Sequence, residues 1–164
     1  MKTKNIFKAG KNNIGYVSSA FNEYFGDLEC GEDGVNGGLT AKTLEKSMND
    51  DEILKELNPA PVTISELLAF MKNADKSVWH ICYIKDSNDV LRAVSVRWDD
   101  GGWRVYAYSV EHPDRWSAGG QVFSRNFSNP STLSTQSLSP SASLTLESAL
   151  KMVVDAGYII YKKL

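Results

Sequence analysis

Residues 78–110 read VWHICYIKDSNDVLRAVSVRWDDGGWRVYAYSV, and this stretch decides the fold. It contains three runs that are rich in β-branched and aromatic residues, which is typical of β-strands: 78–84, 90–98 and 103–110. The segments between the runs are rich in turn-forming residues, namely Asp86-Ser87-Asn88-Asp89 and Asp99-Asp100-Gly101-Gly102. The stretch therefore predicts three antiparallel strands joined as a β-meander.

The turn sequences also predict which side chains share a face of this sheet. A two-residue turn at Asp100-Gly101 pairs Trp98 with Trp103. With a two-residue turn at Ser87-Asn88, one face becomes almost wholly apolar and contains Trp79, Ile81, Tyr83, Val94, Val96, Trp98, Trp103, Val105 and Ala107. We prefer this register because a slip of one residue in the first turn would mix the two sets of side chains.

The opposite face is the candidate binding surface, where cations lie among aromatic rings. Cross-strand rows place His80, Ser95 and Tyr106 side by side and Arg97 opposite Arg104. Two facing guanidinium groups repel each other unless something negative or planar lies over them, so an anionic ligand or an acidic partner fits this face. The alternative is that a second layer covers part of the face and the arginines only keep it solvated. The predicted binding residues are His80, Arg97, Arg104, Tyr106 and Tyr108.

The first sixty residues are rich in Gly, Asn and charged residues, and they predict a helical and irregular segment of the same domain. Apolar residues at helical spacing predict three short helices, over residues 16–25, 39–48 and 51–57. Asn58-Pro59-Ala60-Pro61 ends this segment because proline blocks continuation of a helix. The expected organisation is therefore a segment of residues 1–60 and an α+β core of residues 61–164.

Beyond the proline-rich boundary, Thr63 and Glu66 form a capping-box pattern that predicts a helix over residues 64–73. A fourth strand is expected over residues 121–127. Together with the meander, these elements predict an α+β fold, with an antiparallel β-meander of four to five strands and helices packed mainly on one face.

The last forty residues change in composition. Residues 128–143 are dominated by Ser, Thr and Pro and predict a connection that buries too little apolar surface to order itself. Thr145 can cap a helix that stops at Gly157, and residues 158–161 suit a short buried strand.

The composition limits the classes of function. The chain has 164 residues, of which 42% are hydrophobic, so it can form a core, and 18 basic against 20 acidic residues give a net charge of −2. This balance argues against strong non-specific attraction to nucleic acid or to an anionic membrane. No stretch has the length and apolarity of a signal peptide or membrane span, and we expect a soluble, cytoplasmic protein.

The sequence contains few candidate catalytic or metal-binding residues. His80 and Cys82 lie two positions apart on one predicted strand face, but a Cys/His nucleophilic pair needs direct hydrogen-bond contact and an orienting group that the sequence does not mark. The histidines and cysteines lack zinc-ligand spacing, and the acidic loop over residues 27–38 departs from the EF-hand pattern. Phosphate-binding glycine motifs are absent from the sequence, and we predict neither a metal nor a cofactor.

Three hypotheses of function follow. The first is a non-catalytic binding or accessory module of bacterial or phage type, which engages a protein partner or a small anionic ligand through the mixed Arg/Tyr face. The second is a small hydrolase or transferase that acts on an anionic substrate through His80 and Cys82. The third is single-stranded nucleic-acid binding, in which Tyr106 and Tyr108 stack on bases and the arginines contact phosphates.

Overall fold

A computed structural model describes residues 1–31 and 38–127. Its helices are α1 (Thr3–Ile6), α2 (Ser19–Phe25), α3 (Asp50–Glu56) and α4 (Ile64–Asn73). Its strands are β1 (Ile14–Val17), β2 (Thr40–Thr43), β3 (Met48–Asn49), β4 (His80–Lys85), β5 (Leu91–Asp99), β6 (Gly102–Ser109), β7 (Arg115–Trp116) and β8 (Gln121–Ser124). The expected connection, helix and strand beyond residue 127 lie outside the described residues.

The central meander is confirmed, and so is the register of its second hairpin. Strands β4, β5 and β6 are neighbours and pair antiparallel. Trp98 pairs with Trp103, and the turn residues Asp100 and Gly101 both have positive φ, at 53° and 80°. Positive φ at both central residues is what a type I′ turn requires, so the Asp-Gly sequence sets this register.

The register of the first hairpin was predicted wrongly by one residue. His80 pairs with Val96, and Ile81 pairs with Ser95, because three residues rather than two form the loop between Asp86 and Val90. Since successive side chains of a strand point to opposite faces, this shift moves every side chain of β4 to the other face.

The side chain of Asp86 stabilises the longer loop. Its Oδ1 accepts hydrogen bonds from the backbone N–H groups of Asn88 and Val90, and its Oδ2 accepts one from Nε of Arg92. The last loop residue, Asp89, has a φ of 64°, a left-handed conformation that Asp tolerates better than most residues do.

The full sheet is mixed rather than purely antiparallel, so that part of the predicted architecture is wrong, while the α+β class holds. Its six strands run in the order β1-β6-β5-β4-β8-β2, with β1 parallel to β6 and β8 parallel to β4. A second sheet pairs the two-residue strands β3 and β7. Gly102 permits the close approach of β1, since a Cβ there would lie only 2.9 Å from the backbone nitrogen of Gly15.

Of the four helices predicted within the described residues, one is confirmed, two have different bounds and one is wrong. Helix α4 is confirmed, and both hydrogen bonds of its Thr63/Glu66 capping box are formed. Helix α3 begins one residue before its predicted start, and α2 is shorter than predicted because residues 14–17 form β1. The helix expected over residues 39–48 is wrong: that segment contains β2 and enters β3, because pairing with β8 outweighs its weak helical spacing.

The two faces of the sheet bury separate cores. The first core joins the sheet to α1, α2 and α4 and includes Phe21, Leu67, Cys82, Val96 and Trp103. The second core joins the opposite face to α3 and the β3–β7 pair and includes Ile53, Ile81, Tyr83 and Ala93. Three of the four described helices therefore lie against one face, and residues 1–31 and 38–127 leave part of the other face uncovered.

The described residues include no helix with the length and apolarity needed to span a bilayer. The longest of them, α4, has ten residues.

Candidate binding cleft

An open cleft of about 410 Å³ lies on the partly uncovered face of the sheet. We call it the aromatic cleft, and it is lined by Lys76, Ser77, Val78, Trp79, Ser95, Arg97, Trp98, Tyr106, Tyr108 and Trp116. Its volume falls within the roughly 300–1,000 Å³ that is typical of ligand sites. None of the described residues that line it is acidic, and it contains two cations, so it favours an anionic ligand.

Three of the five predicted site residues line this cleft. Tyr106 and Tyr108 project from β6 and are half-buried, and Arg97 projects from β5 and is exposed. Ser95 pairs with Tyr106 across the two strands, as predicted from the second turn. The sheet therefore positions the rings of Tyr106 and Tyr108, whereas the guanidinium group of Arg97 extends into solvent.

Arg104 lies next to the cleft but does not line it. Its Nε lies 3.0 Å from Oδ2 of Asp99, an ion-pair contact without hydrogen-bond alignment, and its guanidinium lies 5.8 Å from the ring centre of Tyr16. The same Asp99 oxygen lies 4.0 Å from Nη2 of Arg97. The negative group that the facing arginines require is thus partly supplied by the chain itself.

His80 lies on the other face of the sheet, away from the four other predicted residues, because of the register shift in β4. It is 1% exposed and packs edge-on against Phe70, with its Nε2 at 2.8 Å from the backbone carbonyl oxygen of Asp75. A carbonyl only accepts, so Nε2 is the protonated nitrogen. Burial lowers the pKa of His80, although the contact with Asp75 opposes this effect.

Cys82 shares the buried face with His80 and is fully enclosed. Burial raises the pKa of its thiol well above the ordinary value, and the charge of Glu66 adds to the rise. Because the thiolate is the nucleophilic form, this environment opposes reactivity. The geometry therefore gives no support to a hydrolase or transferase that uses these two residues.

Five aromatic rings form a continuous row across the open face. The row runs Tyr16, Tyr106, Tyr108, Trp116 and Trp79, with successive ring centres 5.5, 6.4, 5.6 and 5.5 Å apart. We call this set the aromatic row. The row extends from the edge strand β1 to the loop before β4, with neighbouring ring planes inclined by 18° to 73°. It adds three rings to the two tyrosines that the sequence marked.

Lys76 supplies the second cation of the cleft, and sequence reasoning did not select it. Its Nζ lies 3.9 Å from the centre of the Trp98 ring, a cation–π contact that holds the ammonium group at the rim. Trp79 was also missed, since the wrong β4 register placed it on the apolar face. The unusual density of Trp, Tyr and Arg over residues 103–116 was the signal that could have indicated Trp116.

A second, smaller cavity of about 140 Å³ adjoins the aromatic cleft and shares three of its walls. We call it the Asp50 cavity, and it is lined by Asp50, Trp79, Tyr108, His112, Asp114, Arg115 and Trp116. Asp50 is 2% exposed, and its Oδ1 accepts hydrogen bonds of 2.7 Å from both the Tyr83 hydroxyl and Nε1 of Trp116. Burial raises the pKa of the Asp50 carboxyl, and the two donors oppose the rise.

In the part of the chain that the structure describes, no cluster of three or more His, Cys, Asp or Glu residues could hold a metal ion. Comparison with known proteins also gives no assignment: no protein-family model, curated protein or solved structure matches the chain. The geometry of the cleft is therefore the basis for inferring a function.

Proposed function

We propose that the protein is a non-catalytic binding module that engages an acidic segment of a protein partner through the aromatic cleft. The observation that supports this proposal is the pairing of two exposed cations, Lys76 and Arg97, with aromatic walls and no acidic lining residue among those described. Interfaces concentrate Tyr, Trp and Arg in this way.

The chemistry of the two cations fits a carboxylate-rich segment. The Arg97 side chain is about half exposed, and its Nη2 lies 4.0 Å from Oδ2 of Asp99, which is too far for a hydrogen bond, so its planar guanidinium can form a bidentate pair with an incoming carboxylate. Lys76, held over Trp98, adds a second positive charge. The rings of Trp79, Tyr108 and Trp116 then offer flat surfaces for the residues that flank the acidic group.

Single-stranded nucleic acid is the second candidate, and the aromatic row is the observation that favours it. Five rings spaced 5.5–6.4 Å apart could stack on successive bases while Arg97 and Lys76 contact phosphates. The net charge of −2 and the ion pair of Arg104 with Asp99 weaken the electrostatic attraction that such binding requires.

The test compares two charge-reversal variants of the full chain. Lys76→Glu/Arg97→Glu changes the cleft, and Lys8→Glu/Lys11→Glu makes the same change in net charge at exposed positions that do not line it. The probe is a fluorescein-labelled peptide of glutamate and tyrosine residues, titrated at two salt concentrations. The proposal expects at least a tenfold loss of affinity, about 1.4 kcal/mol, in the cleft variant only.

Equal affinity of the two variants for the peptide overturns the proposal. A labelled oligo(dT) in the same titration decides between the two candidates. If it binds more tightly than the peptide, loses affinity steeply with salt and depends on Lys76 and Arg97, the ligand is nucleic acid and not an acidic protein segment.

A further inference from the structure

We infer that the Asp50 cavity is a binding site for an alkylammonium group. This site selects a cation, whereas the aromatic cleft selects an anionic group. A ligand can occupy the cavity while the cleft is empty. Its volume of about 140 Å³ is below the range for whole ligands, so it fits one functional group.

The walls of the cavity are aromatic rings at steep mutual angles. The rings of Trp79 and Trp116 have centres 5.5 Å apart and planes inclined at 60°, and those of Tyr108 and Trp116 are 5.6 Å apart at 73°. Rings that line one cavity at different inclinations can offer a face to a cation inside it, and aromatic cages bind quaternary and methylated ammonium groups through such ring faces.

The carboxylate of Asp50 adds a fixed negative charge to this cage. Both of its hydrogen bonds are made to Oδ1, from Tyr83 and Trp116, so neither donor engages Oδ2. The Trp116 bond also fixes the indole that forms one wall. A buried carboxylate beside aromatic rings has lost most of its hydration. An entering cation offsets this loss by pairing with the negative charge.

The other charged residues of the cavity do not offset this negative charge. Arg115 is neutralised by Glu52: its Nη2 lies 2.8 Å from Oε1 and its Nη1 lies 3.4 Å from Oε2 of that carboxylate. Asp114 contributes a further carboxylate, and its Oδ2 lies 3.5 Å from Nδ1 of His112. The described lining of the cavity therefore carries two carboxylates, and its one guanidinium group is paired with Glu52.

The direct test titrates the full-length protein with choline chloride at constant total chloride and follows the N-methyl and indole proton resonances. The matched probe is 3,3-dimethylbutanol, which has the same shape as choline but no charge. We expect saturable binding of choline, with an affinity at least tenfold higher than that of the neutral probe. Equal affinity for the two probes, or no saturable binding of choline, overturns the inference.

A pair of variants locates the site. Asp50→Asn keeps an acceptor oxygen for Tyr83 and Trp116 but removes the charge, and it is expected to weaken choline binding at least tenfold. Glu66→Gln removes another buried carboxylate charge, outside the cavity, and leaves choline binding unchanged. If Asp50→Asn does not fold, Trp79→Leu gives the same readout, because this half-buried ring forms a wall. Unchanged choline affinity in the folded variant overturns the inference.

Two further probes identify the source of the ammonium group. A peptide with one trimethyllysine and phosphocholine are titrated in parallel with choline. Tighter binding of the peptide indicates a protein chain as the source, and tighter binding of phosphocholine indicates a lipid-type headgroup. Because the acidic peptide and choline are titrated separately, and Asp50 does not line the aromatic cleft, failure of the cleft to bind acidic peptide and failure of this cavity to bind ammonium are separate results.

Discussion

Arg97 and Arg104 lie directly opposite each other on β5 and β6, and one carboxylate oxygen of Asp99 lies within 4.0 Å of both. The carboxylate lowers the repulsion between the two guanidinium groups. It also competes with any anion that approaches Arg97, so the chain carries its own weak competitor for the aromatic cleft.

The first prediction follows from this competition. Asp99→Asn is expected to tighten binding of the acidic probe peptide several-fold, because the anion no longer displaces an internal carboxylate. The cost in unfolding free energy is at most about 1 kcal/mol, since Asp99 is exposed. Asp100→Asn is the matched control: it removes the same charge one residue away, in a turn position that suits Asn. An equal gain in both variants would show that only net charge matters.

The second prediction concerns the cost of the Asp50 charge. Because burial raises the pKa of this carboxyl, the folded chain binds the proton more tightly than the unfolded chain, and stability falls as pH rises from about 3.9 through the raised pKa. Asp50→Asn is expected to unfold at a higher temperature than wild type at pH 7, with a difference that disappears below about pH 3.9. Thermal unfolding from pH 3 to 8 measures this difference. The exposed neighbour gives the control variant, Asp51→Asn, and a larger gain there would contradict the account.

The third prediction assigns His80 a structural role. Its pKa is lowered by burial, so below about pH 6.5 the unfolded chain binds a proton that the folded chain does not, and stability falls as pH decreases from that value to the lowered pKa. His80→Phe is expected to remove this pH dependence and to leave the affinity for the acidic peptide unchanged. His112→Gln, at an exposed position, should keep the dependence. Loss of peptide binding in His80→Phe would return His80 to the site.

The fourth prediction tests the loop that sets the register of β4. Asp86→Ala removes a buried carboxylate that accepts three hydrogen bonds, one of which is its ion pair with Arg92, so a loss of about 3 kcal/mol in unfolding free energy is expected. Urea unfolding measures the change, and Ser87→Ala, at an exposed loop position, serves as the control with a change below about 0.5 kcal/mol. A loss of less than 1 kcal/mol in Asp86→Ala would show that the loop is not held by this carboxylate.

The sequence predicted those parts of the fold that local signals determine. Asp100-Gly101 set the second turn, and Thr63 with Glu66 set the start of α4. The first turn could not be read in the same way, because the side chain of Asp86 and the left-handed Asp89 stabilise a longer loop. That single residue of difference moved His80 out of the candidate site and Trp79 into it.

The remaining differences come from long-range pairing. Strand β2 and the second half of β1 come from residues whose apolar spacing resembled that of helices, and both strands are edge strands of the six-stranded sheet. Their partners, β6 and β8, lie about 80 to 90 residues further along the chain, too far for a local sequence pattern to indicate the pairing. Asp50 was missed for the same reason: it looks like an ordinary residue at a helix start, and only the fold brings Trp116 and Tyr83 to it.

The tryptophan indole signals in a two-dimensional ¹H–¹⁵N spectrum give the most direct test of the aromatic cleft. Trp79 and Trp116 line the cleft, whereas Trp103 is 2% exposed in the core of the opposite face. On addition of the acidic peptide, the indole signals of Trp79 and Trp116 are expected to shift in a saturable way while that of Trp103 stays in place. A saturable shift of Trp103 with Trp79 and Trp116 unmoved, or no saturable shift at all, would contradict the account.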